Sequence, residues 1–293
     1  MKNTYAFKKS KIFSRFGAMA LDIIIGFLVL VFVLIAIVIP IANNTDIYKK
    51  TTSDYEQTFI SLKIYQKNDD GLGYIRSDYE ENLTYFFTNY DSIDNYNKLK
   101  DESEVFTYDV DTKTYVPVGT ESQMEQFYKN ALREANEIAW KMEDVLKVAS
   151  RYELLNKVLI YIGLVLASII TFLIPALILK DRSTIGMIPF HLQVISKKSG
   201  DIASRLQILF KFLIFLTFEI ILTFYYVGYF IMILSAIMVL FTKEKLSLTD
   251  FLCSTVIVDK MGYTKDTPER ELVYVITYSE EDKIDEVKEN ERN

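Results

Sequence analysis

Apolar residues along this chain gather into runs longer than a globular core of this size needs. Ile23 to Ala42 carries no charged residue, and FGAMALD precedes it, so a first helix can begin near Phe16 and take Asp22 inside. Val158 to Leu179 is a second uncharged run, and Phe212 to Phe241 is a third, interrupted by Glu219 alone. About 20 apolar residues carry a helix across a bilayer. The first two runs therefore predict one span each. The third would be about 45 Å long as a single helix, at 1.5 Å per residue. It reads best as a hairpin of two short spans turning near Tyr225 to Gly228, with one long tilted helix as the other reading. A cleaved signal peptide competes for the first run, but that run is long and no small-residue cleavage site follows it cleanly.

The intervening segment 43–157 has a different pattern. Tyr48, Thr52, Tyr55, Phe59, Leu62 and Gln66 recur at helical spacing, as do Ala131, Ala135, Ile138, Met142, Val145, Ala149 and Tyr152. Both stretches predict helical stalks, the second capped by Thr120 or Ser122. Between them, roughly 68–120 is rich in Tyr. Glu104 to Val118 reads as a β-hairpin turning in DVDTK. Asp109 and Asp111 are spaced as in a calcium loop, but the Gly and distal Glu of such a loop are missing. Turn chemistry is the expectation there. The Tyr residues read either as the insert's core or as a binding face for sugars or peptides.

Charge gives the orientation. Before the first helix stand Lys2, Lys8, Lys9, Lys11 and Arg15 with no acid, and Lys180 to Lys211 holds six Lys and Arg against Asp181 and Asp201. Segment 43–157 holds 14 Lys and Arg against 22 Asp and Glu, a net of −8. The excess of basic residues places the N-terminus and 180–211 in the cytoplasm and the insert outside. A hairpin after Lys211 puts the C-terminus inside as well.

The expectation is thus an all-α polytopic membrane protein of four transmembrane helices, N-in and C-in, with a large extracytoplasmic α+β insert between helices 1 and 2. Its parts are 1–42 (N-terminus and first span), 43–157 (insert), 158–260 (further spans with the connector 180–211) and 261–293 (an acidic mobile tail).

Composition closes off other classes. The chain has 293 residues, 50% hydrophobic, with one Cys and one His. Cys253 has no second Cys to pair with, and His191 leaves little for His-based catalysis or a metal site. A net charge of −6 argues against a nucleic-acid partner. No P-loop, HExxH, GxSxG or paired-Cys motif stands in the sequence, so neither an enzyme nor a cofactor is expected.

The intramembrane charges are the candidate chemistry. Asp22 follows Arg15 by close to two helical turns, and Ala18 and Gly26 flank it at four-residue spacing. A buried carboxylate needs a partner, a cation, water or a proton. Asp22 reads as a structural pair with Arg15 or another helix, or as an ion or proton site. Arg15 reads as an interfacial anchor or as part of a polar cluster. Gly163 and Ala167 form a second small-residue face, the expected packing partner of Ala18 and Gly26. Glu219, near Thr217 and Thr223, reads as a further proton site or as a residue at a helix bend near the interface. Asp250 reads as a helix cap near Thr249 or as the closure of a cluster with Arg15.

These residues meet a known pattern. RFGAMALD, with Arg15, Ala18 and Asp22, resembles the opening motif of the RDD family of bacterial membrane proteins. DRSTIGMIPFHLQVISKKSGDIAS resembles the family's connector, through Thr184, Gly186, Val194, Gly200 and Ser204. LSLTDFLCSTVIVDK resembles the closing motif, through Asp250, Thr255 and Val258. The resemblance covers about 1–42 and 158–260. One departure is Met187, where the connector often has Lys.

The resemblance implies a multi-pass protein of the bacterial cytoplasmic membrane with a role in transport, and cation/proton exchange is linked to some members. On physical grounds Asp22 is the candidate site alternating between a proton and a small cation, since burial raises a carboxylate's pKa and a nearby Arg lowers it; Arg15, Asp250 and Glu219 are the further family-motif or possible ion and proton-site residues. The partners expected are the lipid bilayer and, through the small-residue faces, a homo-oligomer. The alternative is a non-transport envelope protein whose insert binds a protein partner or a cell-wall component.

Overall fold

The computed structural model describes residues 3–69, 71–242, 245–260 and 272–277. Among the described residues, three helices are long and apolar enough to cross a membrane: Ile12–Asn43, Glu143–Ile178 and Arg205–Tyr225. Val227–Phe241, of 15 residues, is apolar but shorter. Contacts divide the chain into two units, one of Met1–Pro40 with Leu159–Asn293, the other Ile41–Val158.

Each long helix contains a π-helical turn: Leu34–Val38, Ile169–Leu173 and Leu216–Ile220. Two of them end two residues before a proline, Pro40 and Pro175. A proline ring cannot donate to, and collides with, the carbonyl four residues back. Widening the preceding turn relieves that collision. The third lies ahead of a 3-10 stretch, Ile221–Tyr225, where the apolar run breaks. Tyr226 adopts a left-handed conformation, φ 64°. A Cβ on Gly228 would lie 2.4 Å from the Thr223 amide, so the chain turns there through a residue without a side chain. The break falls inside the expected turn.

The membrane-type unit also holds a small β layer. Leu192–Ser196 pairs antiparallel with Thr255–Asp259, Val194 opposite Ile257. Lys9 bridges to Val258 on the other edge, and the Ser10 hydroxyl donates to the Ile257 carbonyl at 3.0 Å. Leu192, Val194 and Met187 are buried with Ala18, Ala176, Ala203 and Ile208. Met187 is thus a core residue. Gly200 sits at φ 75°, the left-handed turn that leads to Ser204. Ser204 and Gln207 form a reciprocal cap on the third long helix.

Asn3–Lys8 pairs antiparallel with Leu272–Thr277. Part of the stretch read as a mobile tail is therefore a strand, because its LVYVIT run has β-forming residues. The rest of 261–293 lies outside the described residues.

The insert unit differs from its expectation in detail. Asp46–Ser61 is the first helix, capped by Thr45, but Gln66 belongs to a strand. Lys63 turns left-handed at φ 65° and ends the helical run. The second apolar stripe spans two helices, Glu121–Ala139 and Glu143–Ile178, with turn bonds at Lys141 and Met142 between them. The apolar period continues through the break, so spacing alone does not mark it. Thr120, with Gln123, caps the first of these.

The Tyr-rich region contains two helices, Tyr79–Tyr90 and Ile93–Glu102. Tyr79, Leu83, Phe86, Phe87 and Tyr90 carry helical spacing that the aromatic composition had masked. Tyr65–Asn68 pairs with Gly71–Tyr74, and Phe106–Asp109 with Thr114–Pro117. The second hairpin turns where DVDTK predicts. Asp109 accepts from the Asp111 amide at 2.9 Å and the Thr112 hydroxyl at 2.7 Å, which is turn chemistry. The unit's core includes Phe59, Leu83, Phe86, Phe87 and Tyr96. Lys100 is buried in it, with Glu80 as ion partner and its ammonium 4.3 Å from the Tyr96 ring centre.

Candidate functional site

Asp22 lies on the first long helix, one turn after Ala18, with its side chain turned into the protein. Its two oxygens meet the connector. Oδ1 accepts from the Gly186 amide at 2.7 Å, and Oδ2 accepts from the Thr184 hydroxyl at 2.5 Å. A Cβ on Gly186 would lie 2.3 Å from the Ala18 carbonyl oxygen and 2.6 Å from Asp22 Cγ. The glycine is what lets the connector backbone reach the carboxylate. One turn earlier on the same helix, a Cβ on Gly17 would lie 2.4 Å from the Phe190 ring, a second close approach of the connector.

Arg15 and Asp250 meet in a second cluster. Arg15 is 8% exposed and Asp250 0%. Their side chains are 3.2 Å apart, and Arg15 also donates to the Lys245 carbonyl. Lys211, from the third long helix, donates to Asp250 Oδ1 at 2.5 Å. Thr255 donates to the same oxygen at 2.9 Å, and Ser247 to Oδ2 at 2.8 Å. Burial pushes the Asp250 carboxyl up, but Lys211 and Arg15 outweigh it and hold the group down at about 2. The cap of the short helix Leu248–Leu252 is Ser247, which accepts from the Asp250 amide. Asp250 itself serves the cluster.

Arg15 and Asp250 therefore come together, and Asp22 stands apart with partners of its own. Arg15 is turned inward to Asp250, not outward as an interfacial anchor. Glu219 lies in the π turn of the third long helix. Ser235, Lys211 and Asp250 are the groups that act on its carboxyl. Thr223 is engaged elsewhere, with the Ile220 carbonyl and the Tyr161 hydroxyl.

The small-residue faces lie along one helix pair but are offset. A Cβ on Gly163 would meet Leu34 at 2.6 Å and Leu30 at 3.3 Å, while Gly26 faces the Thr171 methyl at 3.9 Å. Ala18 and Ala167 are buried.

Arg182, unremarked in the sequence, donates to the carbonyls of Leu177, Leu179 and Ala203. It closes the C-terminal end of the second long helix, where cations are favoured. A largely apolar cavity of about 150 Å³ has Thr184 and Lys211 on its wall, beside Phe172, Met187, Ile208 and Phe212. It thus touches one partner of each carboxylate. Thr184 and Thr255 were visible only through the resemblance, and Lys211 only as a connector charge.

No curated protein and no solved structure matches the chain. The RDD family model matches residues 138–254. That stretch contains Thr184, Gly186, Lys211, Glu219 and Asp250, and leaves out Arg15 and Asp22. Over that stretch, 117 of its 293 residues, the chain is similar to the RDD family.

Proposed function

We propose that this chain is a multi-pass envelope protein whose membrane unit is a latched scaffold for an extracytoplasmic recognition module, 43–157. One observation carries the reading: all four oxygens of the buried carboxylates Asp22 and Asp250 are taken by protein donors. Carboxylates held by protein donors on every oxygen stabilise a fold. The basic N-terminus and connector support the N-in orientation. The helix break at Tyr226 supports four spans with a C-terminus inside, in the bacterial plasma membrane. The test is co-sedimentation of purified full-length protein with isolated cell-envelope material, beside a variant with 44–157 replaced by a short linker. Retention of the first and loss of the second is expected. Equal retention of both sinks the reading.

A second reading, proton-coupled transport of a small cation or assistance to it, is favoured by Glu219. This carboxylate lies inside an apolar helix, with a serine hydroxyl and two charges in reach. Intramembrane acids of that kind serve proton relays. Loss of proton flux in Glu219→Gln, with the fold intact, would support it.

A further inference from the structure

The insert unit contains a cleft of about 520 Å³ that neither latch uses. That volume lies in the range of small-molecule sites, roughly 300–1,000 Å³. Aromatic rings make its walls. Tyr55 stacks on Tyr152 with centres 4.4 Å apart, and Tyr65 on Tyr74 at 5.2 Å. Phe59 backs Trp140 at 5.4 Å. Trp140 and Tyr74 remain 42% and 45% exposed, so two large rings keep open surface at the cleft.

Polar groups stand among the rings. Thr52 Oγ1 is buried and has no hydrogen-bond partner among the described residues. Asn136 accepts from the Tyr65 hydroxyl through Oδ1, which leaves its amide N–H groups as donors. Glu56 lines the cleft too, neutralised by Lys67 at 2.6 Å. Gly71 and Gly73 put bare backbone on its lining.

Each feature narrows the ligand. Open ring faces want a flat apolar surface. The unpartnered hydroxyl and the amide want hydroxyl or carbonyl groups at its edge. The paired Glu56 leaves the cleft without net charge, although the insert as a whole carries −8 from 14 basic and 22 acidic residues. A polyanion is repelled by the unit, and a cation finds no free carboxylate in the cleft. A pyranose ring has an apolar C–H face and a rim of hydroxyls, and carries no charge.

We propose that this cleft binds a neutral carbohydrate chain, with sugar rings on Trp140 and Tyr74 and hydroxyls on Asn136 and Thr52. The proposal rests on the reading of the insert as a recognition module and names its ligand class.

Trp140 is the chain's one tryptophan, so its emission reports on the cleft alone. The experiment titrates purified full-length protein in detergent with tetramers of β-1,4-linked N-acetylglucosamine and of β-1,4-linked glucose. A saturable emission change with at least one is expected. Tyr74→Ala and Asn136→Ala should each weaken it by about tenfold, while Tyr74→Phe keeps it. Far-ultraviolet circular dichroism confirms that each variant is folded. No saturable change with either tetramer overturns the proposal, as does unaltered affinity in Tyr74→Ala. An emission shift on moving the sugar-free protein from detergent into phosphatidylcholine vesicles, with no further sugar response, assigns the rings to the bilayer surface and also overturns it. Envelope retention without an oligosaccharide response sinks the carbohydrate alone. Loss of retention sinks the module reading with it.

Discussion

The Gly186 amide donates to Asp22 Oδ1 at 2.7 Å, across a separation of 164 positions in the chain. The bond ties the connector to the first long helix, and it needs a residue with no Cβ on one side and a carboxylate on the other. Gly186→Ala would place its methyl 2.6 Å from Asp22 Cγ. Overpacking of this kind costs about 1–3 kcal/mol. The purified protein should melt at lower temperature, and so should Asp22→Ala, which orphans the Gly186 amide. Asp22→Asn should melt close to wild type, because its amide oxygen can accept from Gly186 while its N–H group donates to Thr184. Thermal unfolding in detergent checks the order.

Asp250 balances two cations, so its removal should be the most damaging change in the membrane-type unit. Asp250→Ala leaves Arg15 and Lys211 uncompensated, at a cost of about 3–5 kcal/mol. Arg15→Met leaves Lys211 on the carboxylate and should cost less. The acid response follows from the carboxyl held at about 2, below its ordinary value. Its contribution is present above pH ~4, where the unfolded group is ionised, and is lost as pH falls towards ~2. Denaturation between those limits should be steeper for wild type than for Asp250→Asn.

How much of this was legible follows from the range of each interaction. The apolar runs, the hairpin at Phe106–Asp109 and the Thr120 cap are local, and their residues stand side by side in the sequence. Asp22 was visible as a charge in an apolar run. Its partners were not, because nothing in the spacing of Asp22 and Arg15 points to residues 162 and 164 positions away. Two turns of separation left Arg15 and Asp22 open to pairing with each other, yet each has partners of its own. The family pattern marked Thr184 and Gly186 without giving a reason, and the geometry supplies it. The helix Tyr79–Tyr90 was missed although its apolar spacing is regular, since a Tyr-rich composition favours strand as strongly as helix.

The insert unit should be sensitive to alkali. Burial raises the phenols of Tyr65, Tyr96 and Tyr128, the last to about 12. Glu80 also holds Tyr96 and Tyr128 in the neutral form. The unfolded phenols ionise near pH 10, so between ~10 and ~12 the unfolded state binds fewer protons and stability falls as pH rises. Phenolate absorbance should appear together with the loss of near-ultraviolet circular dichroism, as one cooperative step. Tyr128→Phe should flatten the slope of stability over that interval.

Whether Asp22 is a latch or a carrier is decided by ion-linked proton flux in proteoliposomes. Wild type and Asp22→Asn, reconstituted at equal density and with matched melting temperatures, should give the same flux under an imposed cation gradient. Flux in wild type that vanishes in a folded Asp22→Asn protein would contradict the latch.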